Sequence, residues 1–152
     1  MNIAPLWRRL AAIIYDTVLL IGIWIFVGFL VTRAFGIEQA RTIEGKEVVL
    51  NPYYQYAMFA AMLASAFLFF GWFWTFSGQT LGMQAWKIKV QNADGSAISW
   101  RQVALRYVVG PFAIALAALG YWWMLFDRER RTWPDMASNS VVVKISNFPG
   151  SV

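Results

Sequence analysis

The chain has 152 residues, of which 59% are hydrophobic, 18% aromatic and only 14% charged, and its mean hydropathy is +0.50. A soluble domain carries about 25% charged residues, so this composition excludes an ordinary soluble domain and predicts a small integral membrane protein. With no Cys and no His, disulfides, thiol redox chemistry and the usual zinc sites are excluded, and the net charge of +5 indicates contact with anionic lipid rather than nucleic acid.

The first long apolar run predicts a membrane-spanning helix from about residue 6 to residue 33. Asp16 lies well inside this run, where a carboxyl group costs roughly 2.5–3.5 kcal/mol on insertion scales. Such a group usually has a partner, and Arg9 precedes it by seven residues, a spacing that returns to nearly the same face of a helix. We therefore expect Arg9 and Asp16 to form an intramembrane ion pair.

A second apolar run, without any charged residue, predicts a second membrane-spanning helix from about residue 53 to residue 76. The stretch before it, residues 36–52, carries balanced charges and is predicted to be an exposed loop. Small residues recur every four positions in the helix and would let another helix approach closely; they are Ala57, Ala61 and Ser65, with Ala60 and Ala64 beside them. We therefore expect the chain to form a homo-oligomer in the lipid bilayer.

The third apolar region, from about residue 101 to residue 126, is interrupted by Gly110 and Pro111. Proline disfavours the helical conformation for the residue before it, so a break or kink is expected at this point. Two arrangements remain open: the region crosses the membrane once, or it enters and returns as a broken, re-entrant hairpin. The region is short for two full crossings.

Two short strands are predicted on either side of the third region. Residues 86–91 alternate between apolar and polar side chains, and residues 141–145 form a second strand-like run. If the third region returns, both segments lie on the same side of the membrane and can pair. The predicted fold is thus a single all-α membrane domain over residues 1–152 with two full transmembrane helices, a third broken or crossing region and a small cytoplasmic two-stranded β element.

The distribution of Lys and Arg bears on the orientation of the chain. If the third region crosses once, the two sides carry six and seven basic residues, and no orientation is favoured. If it returns, one side carries ten and the other three. Because basic residues concentrate on the cytoplasmic side, the second arrangement predicts that the N-terminus, the second loop and the C-terminal tail are cytoplasmic.

These motifs resemble the RDD family of small bacterial membrane proteins, which is named for one arginine and two aspartates. The first helix of that family carries Arg-Leu-x-Ala-x-x-x-Asp, and residues 9–16 match this pattern in register. The Gly-Gln-Thr-Leu-Gly stretch at residues 78–82, the Asp-Gly turn at 94–95, Arg106 and the closing Arg-x-Thr and Asp pattern follow in the family's order. The resemblance covers nearly the whole chain and identifies Asp135 as the second aspartate.

The chain also departs from the family pattern in its tail. Pro134 stands where relatives often have His, and Ser-Asn-Ser at residues 138–140 replaces the usual Ala-Gly-Thr. The resemblance implies a multi-pass protein of the bacterial inner membrane. It also implies a role in transport, since transport of unidentified ligands has been suggested for the family and some members have been linked to cation/proton exchange.

Two functions follow from these predictions. In the first, the protein transports a small ion or solute, with cation/proton exchange as one form, and an intramembrane coupling site is built from Asp16, Arg9, Asp135 and Arg106. In the alternative, the same residues form a static network, and the protein is a membrane assembly factor, accessory subunit or chaperone-like protein. Asp16→Asn is expected to impair transport in the first case and assembly in the second.

The remaining motifs predict contacts rather than chemistry. The basic cluster in the tail is expected to contact anionic lipid, and it consists of Arg128, Arg130 and Arg131. The sequence contains no nucleophile–base pair, metal-ligand cluster or phosphate-binding loop, so we expect neither an enzyme nor a bound cofactor or metal.

Overall fold

The computed structural model describes residues 2–35, 52–116 and 119–145. The loop predicted at residues 36–52 lies, apart from its last residue, outside these ranges. The described elements, in chain order, are α1 (Leu6–Phe35), α2 (Pro52–Phe76), α3 (Leu81–Ala85), β1 (Ile88–Gln91), α4 (Trp100–Ala115), α5 (Leu119–Trp122), a 3₁₀ turn (Trp123–Leu125), α6 (Trp133–Ser138) and β2 (Val141–Lys144).

Two helices are long and apolar enough to cross a membrane, which confirms the two predicted spans. Helix α1 has 30 residues and α2 has 25, so at about 1.5 Å per residue both exceed a hydrocarbon core of roughly 30 Å. Large apolar side chains point outward along both helices, among them Ile25 and Phe59. Exposed apolar surface of this extent is typical of a surface that meets lipid.

The chain divides into two compact units, and residues 18–68 form one of them. Within it, the indole nitrogen of Trp24 donates to the Met62 carbonyl oxygen at 3.1 Å, and the hydroxyls of Thr32 and Tyr54 lie 2.9 Å apart. These bonds tie the described parts of α1 and α2 together inside this unit. Ala60 and Ala64, from the predicted small-residue face of α2, remain exposed.

The other unit, residues 1–17 with 69–152, contains the sheet. Strands β1 and β2 pair with each other, as predicted. The pairing is antiparallel and runs from Ile88 opposite Lys144 to Gln91 opposite Val141. The N-terminal segment lies along the other edge of β2, where Ile3 bridges to Val143. The N-terminal segment, the connection after α2 and the tail therefore meet at the sheet within this unit.

The third apolar region turns, but five residues later than predicted. Helix α4 continues through Gly110 and Pro111 and ends at Ala115, so the expected break at Gly110 is wrong. A proline removes a single backbone hydrogen bond from a helix, and the bonds beyond it persist, for example from the Leu116 amide to the Phe112 carbonyl oxygen at 3.1 Å. The helical segment Leu119–Leu125 then runs at 106° to α4, which makes the region a broken span or a re-entrant loop.

Gly120 allows α5 to pack against α4 and α6 after this turn. A Cβ atom at residue 120 would lie 2.8 Å from the Cα of Ala113 and 2.8 Å from the Trp133 ring. Both distances are shorter than normal carbon–carbon contacts, and the Ala113 atom belongs to the backbone and cannot rotate away.

Gly120→Ala is therefore expected to lower the stability of the protein by about 1–3 kcal/mol through overpacking. Thermal unfolding in detergent, followed by circular dichroism, measures the change. The matched control is Gly22→Ala in α1, where nothing lies within 4 Å of the added Cβ and alanine favours the helix. Equal unfolding temperatures for the two variants would contradict the packing described for Gly120.

Candidate functional site

A buried carboxylate shared by two arginines lies at the centre of the sheet-containing unit. One oxygen of Asp135 accepts a hydrogen bond from Arg9 Nη1, and the other accepts one from Arg106 Nη1 at 2.7 Å. Asp135 is 0% exposed, Arg9 4% and Arg106 8%. We call these three residues the arginine–aspartate cluster.

Three separate parts of the chain position the cluster. Arg9 lies in the first turns of α1, where its Nε also donates to the Ala4 carbonyl oxygen at 3.1 Å and its Nη2 to the Val142 carbonyl oxygen at 3.2 Å. Asp135 lies in the first turn of α6 and accepts from the Thr132 amide at 3.1 Å. Because these bonds reach backbone atoms on both sides, they hold the N-terminal segment, β2 and α6 in one arrangement.

The charges in the cluster decide the ionisation of Asp135. Burial alone would raise the pKa of this carboxyl, but the positive charges of Arg106 and Arg9 outweigh burial and hold the pKa below its usual value. Asp135 is therefore ionised at neutral pH. With two arginines and one aspartate, the cluster carries one uncompensated positive charge.

The second predicted aspartate, Asp16, has different surroundings. Its side chain is 4% exposed, and its two oxygens accept from the Thr80 hydroxyl at 2.5 Å and from the Gly82 amide at 2.9 Å. Thr80 Oγ1 also accepts from the Met83 amide at 3.1 Å and caps α3. Since that oxygen is already an acceptor, the Thr80 proton is free to point at Asp16.

Gly82 is what lets α3 approach the carboxylate this closely. A Cβ at residue 82 would lie 2.5 Å from the Ala12 carbonyl oxygen and 2.8 Å from Asp16 Oδ1. Only glycine leaves room for the backbone amide to donate to Asp16 at this distance. Any larger residue would push α3 away from α1 and break this contact.

The predicted ion pair between Arg9 and Asp16 is not formed. Arg9 binds Asp135 instead, and no basic side chain forms a salt bridge with Asp16 within the described ranges. The spacing placed the two residues on one face of the helix, but seven residues also separate them by about 10 Å along the axis. Arg9 binds Asp135, and Asp16 accepts from Thr80 and Gly82, so each side chain is paired with a distant part of the chain.

Sequence reasoning brought Arg9, Arg106 and Asp135 into one set of residues, and the structure places these three together. Sequence reasoning missed Thr80 and Gly82, which donate to Asp16, and Ser138 and Ser140, whose hydroxyls lie within hydrogen-bond distance of Arg106. A signal for Thr80 was present, because threonine directly before a short helix is a typical N-cap residue. No local pattern marks the serines as partners of a residue more than thirty positions away.

The tail serines complete the surroundings of Arg106. Its Nη1 donates to Ser140 Oγ at 2.5 Å and lies 3.4 Å from Ser138 Oγ. Asn139 between them has a φ of 49° and caps α6 in the left-handed conformation, which glycine and asparagine adopt more readily than other residues. The replacement of Ala-Gly-Thr by Ser-Asn-Ser thus keeps a hydroxyl at residue 140 and a turn-compatible residue at 139.

The three arginines predicted to contact lipid differ in their surroundings. Arg131 is engaged by Asp127 at 3.4 Å and by Glu129 at 3.2 Å. Arg128 and Arg130 are exposed. They follow Phe126, which is 81% exposed, so this part of the tail presents apolar and basic groups side by side.

The described residues contain no group of three or more acidic, Cys or His side chains that could hold a metal ion. Chemically, the unit offers an arginine–aspartate cluster in which both arginines bind Asp135, and a separate carboxyl group, Asp16, which accepts hydrogen bonds from two neutral donors. Of the two carboxyl groups, Asp16 is the one that forms no salt bridge within the described residues.

Comparison with known proteins identifies one relationship. The model of the RDD family matches residues 3–139, nearly the whole chain. The matched region contains Arg9, Asp16, Arg106 and Asp135. No curated protein and no solved structure matches the chain.

Asp135→Asn is expected to destabilise the protein by about 3–5 kcal/mol, because it leaves two buried arginines without a counter-charge. Chemical denaturation in mild detergent measures the loss. Asp94→Asn is the matched control, since Asp94 is exposed in a surface turn. A loss below about 1 kcal/mol for Asp135→Asn would contradict the central role of the cluster.

The same carboxylate predicts how stability depends on pH. A carboxyl whose pKa is lower in the folded state stabilises the fold at any pH above its unfolded value of 3.8. This contribution is lost as the pH falls from there through the folded pKa. Unfolding temperatures recorded between pH 7 and pH 2 should fall less steeply below pH 4 in Asp135→Asn than in the wild type.

Proposed function

The chain belongs to the RDD family of membrane proteins, and we propose that it moves a small cation or a proton across the bacterial inner membrane with Asp16 as the coupling group. One observation carries this proposal. Asp16 is a buried carboxylate that no basic side chain neutralises in the described part of the chain, whereas Asp135 holds both buried arginines. An ionised group of this kind gains most from binding a proton or a cation.

The hydrogen bonds around Asp16 supply a way to couple binding to movement. A carboxylate accepts strongly from the Thr80 hydroxyl and the Gly82 amide, and a neutral carboxylic acid accepts more weakly. Neutralising Asp16 would therefore weaken its hold on the turn that contains α3. Ligand binding then shifts the equilibrium between a docked and a released α3, which is a two-state element that a gradient can bias.

In this proposal the arginine–aspartate cluster does not exchange ions. Arg9, Arg106 and Asp135 hold the frame against which α3 moves, since their bonds run to several backbone atoms and to one another. This assignment revises the expected Asp–Arg coupling pair. The carboxylate keeps its predicted role, and the arginines take a positioning role.

Two or three spans are few to enclose a path through a membrane, so transport also requires more than one copy of the chain. We propose a homo-oligomer in contact with anionic lipid. The exposed Ala60 and Ala64 on α2 are compatible with close helix approach between copies. No bond is made or broken in such a process, and we propose no enzymatic activity.

The second candidate is a membrane assembly factor, accessory subunit or chaperone-like protein that transports nothing. The cluster favours it, because a buried ion pair can fix the register of helices and do nothing else. In that case Asp16 anchors α3 permanently. The two candidates differ in whether the bond between Asp16 and Thr80 is ever released.

The first test is ion flux in proteoliposomes that contain the purified protein. Proton movement is measured after addition of Na⁺, Li⁺ or K⁺, with wild type compared with Asp16→Asn. The wild type is expected to show flux with at least one cation, and the variant, which cannot ionise at residue 16, is expected to lose more than nine-tenths of it. Asp94→Asn, on the surface, should keep the wild-type rate.

The unfolding temperature of each variant is measured in the same preparation, so that loss of flux is not confused with loss of fold. Thr80→Val removes one donor to Asp16 and should change the cation concentration for half-maximal flux. Flux that persists in a folded Asp16→Asn protein would refute the coupling role. No flux in any preparation would favour the accessory role.

Orientation is a separate proposal. The pairing of β1 with β2 and the bridge from Ile3 to Val143 support the arrangement in which the N-terminus, the second loop and the tail share one side of the membrane, with ten basic residues against three. By the positive-inside rule this side is cytoplasmic.

The absence of natural cysteines makes a labelling test direct. Ser96→Cys and Ser146→Cys should react with a membrane-impermeant maleimide only after the cells are opened, and Lys46→Cys should react in intact spheroplasts. Of these three positions only Ser96 lies within the described residues. Reaction of Ser96→Cys in intact spheroplasts would overturn the orientation.

A further inference from the structure

Two buried N–H groups beside the arginine–aspartate cluster have no acceptor in the described part of the structure. They are Nε of Arg106 and Nε1 of Trp74. The groups that carry them are neighbours, since Arg106 Cζ lies 5.3 Å from the centroid of the Trp74 ring. Buried donors are nearly always paired in folded proteins, so these two neighbouring exceptions call for an acceptor that the described residues do not supply.

The charge of the surroundings indicates what kind of acceptor this is. Arg9 and Arg106 bring two positive charges into the buried cluster, and Asp135 brings one negative charge. Arg106 uses Nη1 for Asp135 and Ser140, which leaves its Nε–H for another group. A negatively charged acceptor with more than one oxygen would serve both donors and would also offset the excess positive charge. A water molecule could accept from both donors, but it carries no charge.

The position in the helix indicates where the acceptor comes from. Trp74 lies two residues before the end of α2, in a run of aromatic side chains that is typical of the membrane interface. Trp74 as a whole is half-buried, and its Nε1 atom is buried. Lipid phosphates lie at the depth of the interface, and basic pockets between helices bind anionic headgroups.

We propose that Arg106 and Trp74 form a binding site for the phosphate of an anionic phospholipid. The phosphate accepts from Arg106 Nε and from Trp74 Nε1, and the indole ring stays packed under the guanidinium. This site is distinct from the exposed tail arginines, Arg128 and Arg130, because it is built from buried donors. It does not depend on transport and would be equally present in an accessory protein.

The test compares Trp74→Phe with the wild type. Phenylalanine keeps an aromatic ring next to the guanidinium and removes only the N–H donor and the second ring. Delipidated protein is titrated with phosphatidylglycerol, phosphatidylcholine or inorganic phosphate, and bound lipid is counted by native mass spectrometry. The wild type is expected to prefer phosphatidylglycerol, and Trp74→Phe is expected to bind it about tenfold more weakly.

Trp72→Phe is the matched control, because Trp72 is 63% exposed on the same helix and stacks on Phe76. It should bind phosphatidylglycerol as the wild type does. Equal affinity for this lipid in wild type and Trp74→Phe would overturn the proposal, as would equal affinity of the wild type for both lipids. Inorganic phosphate binding that competes with the lipid and is weakened by Trp74→Phe would support the same phosphate site and assign it a soluble source.

A second measurement does not depend on a variant that folds. Wild-type protein with ¹⁵N in its nine indole rings is titrated with phosphatidylglycerol in detergent. A new hydrogen bond to Trp74 should move one indole N–H signal downfield, and phosphatidylcholine at the same concentration should not move it. No indole signal that responds to phosphatidylglycerol alone would overturn the site.

Discussion

The carboxylate of Asp135 determines how the described parts of the polar core can be arranged. It is fully buried, each of its oxygens accepts from one arginine, and those arginines come from two helices far apart in the sequence, α1 and α4. A charge in such a place is tolerated only if its partners are correctly placed. The start of α1, which carries Arg9, must therefore lie beside β2. Arg106 must lie on the face of α4 that packs on α6.

This constraint also explains why the unit has polar residues inside and apolar residues outside. Eight described polar or charged residues are buried, among them Arg9, Asp16, Thr80 and Asp135, and large apolar side chains are exposed on α1 and α4. In water this distribution would be unfavourable. In a lipid bilayer the exposed apolar surface has no water to avoid, and most of the buried polar groups bind one another.

Much of the fold could be predicted from the sequence, because long apolar runs and alternating strands are local patterns. Helices α1 and α2, the two strands and their pairing were of this kind. The predicted position of the turn in the third region was wrong, because a proline removes only one hydrogen bond from a helix. The turn depends instead on Leu116, which caps the end of α4, and on Gly120, which allows α5 to pack closely. The partners of Asp16 were missed for a related reason. Helical spacing predicts which residues share a face of a helix. It cannot predict that Thr80, from a distant segment, lies closer to Asp16 than Arg9 does.

Arg9 and Asp135 are separated by 126 positions, and this separation affects how the protein is made. At a synthesis rate of about 5–20 residues per second, roughly 6–25 s pass between the addition of Arg9 and that of its partner. During this time the first helix enters the membrane with its guanidinium still unpaired. Only when the tail returns to the sheet can the polar core close, so the C-terminal strand completes the folding of the N-terminal helix.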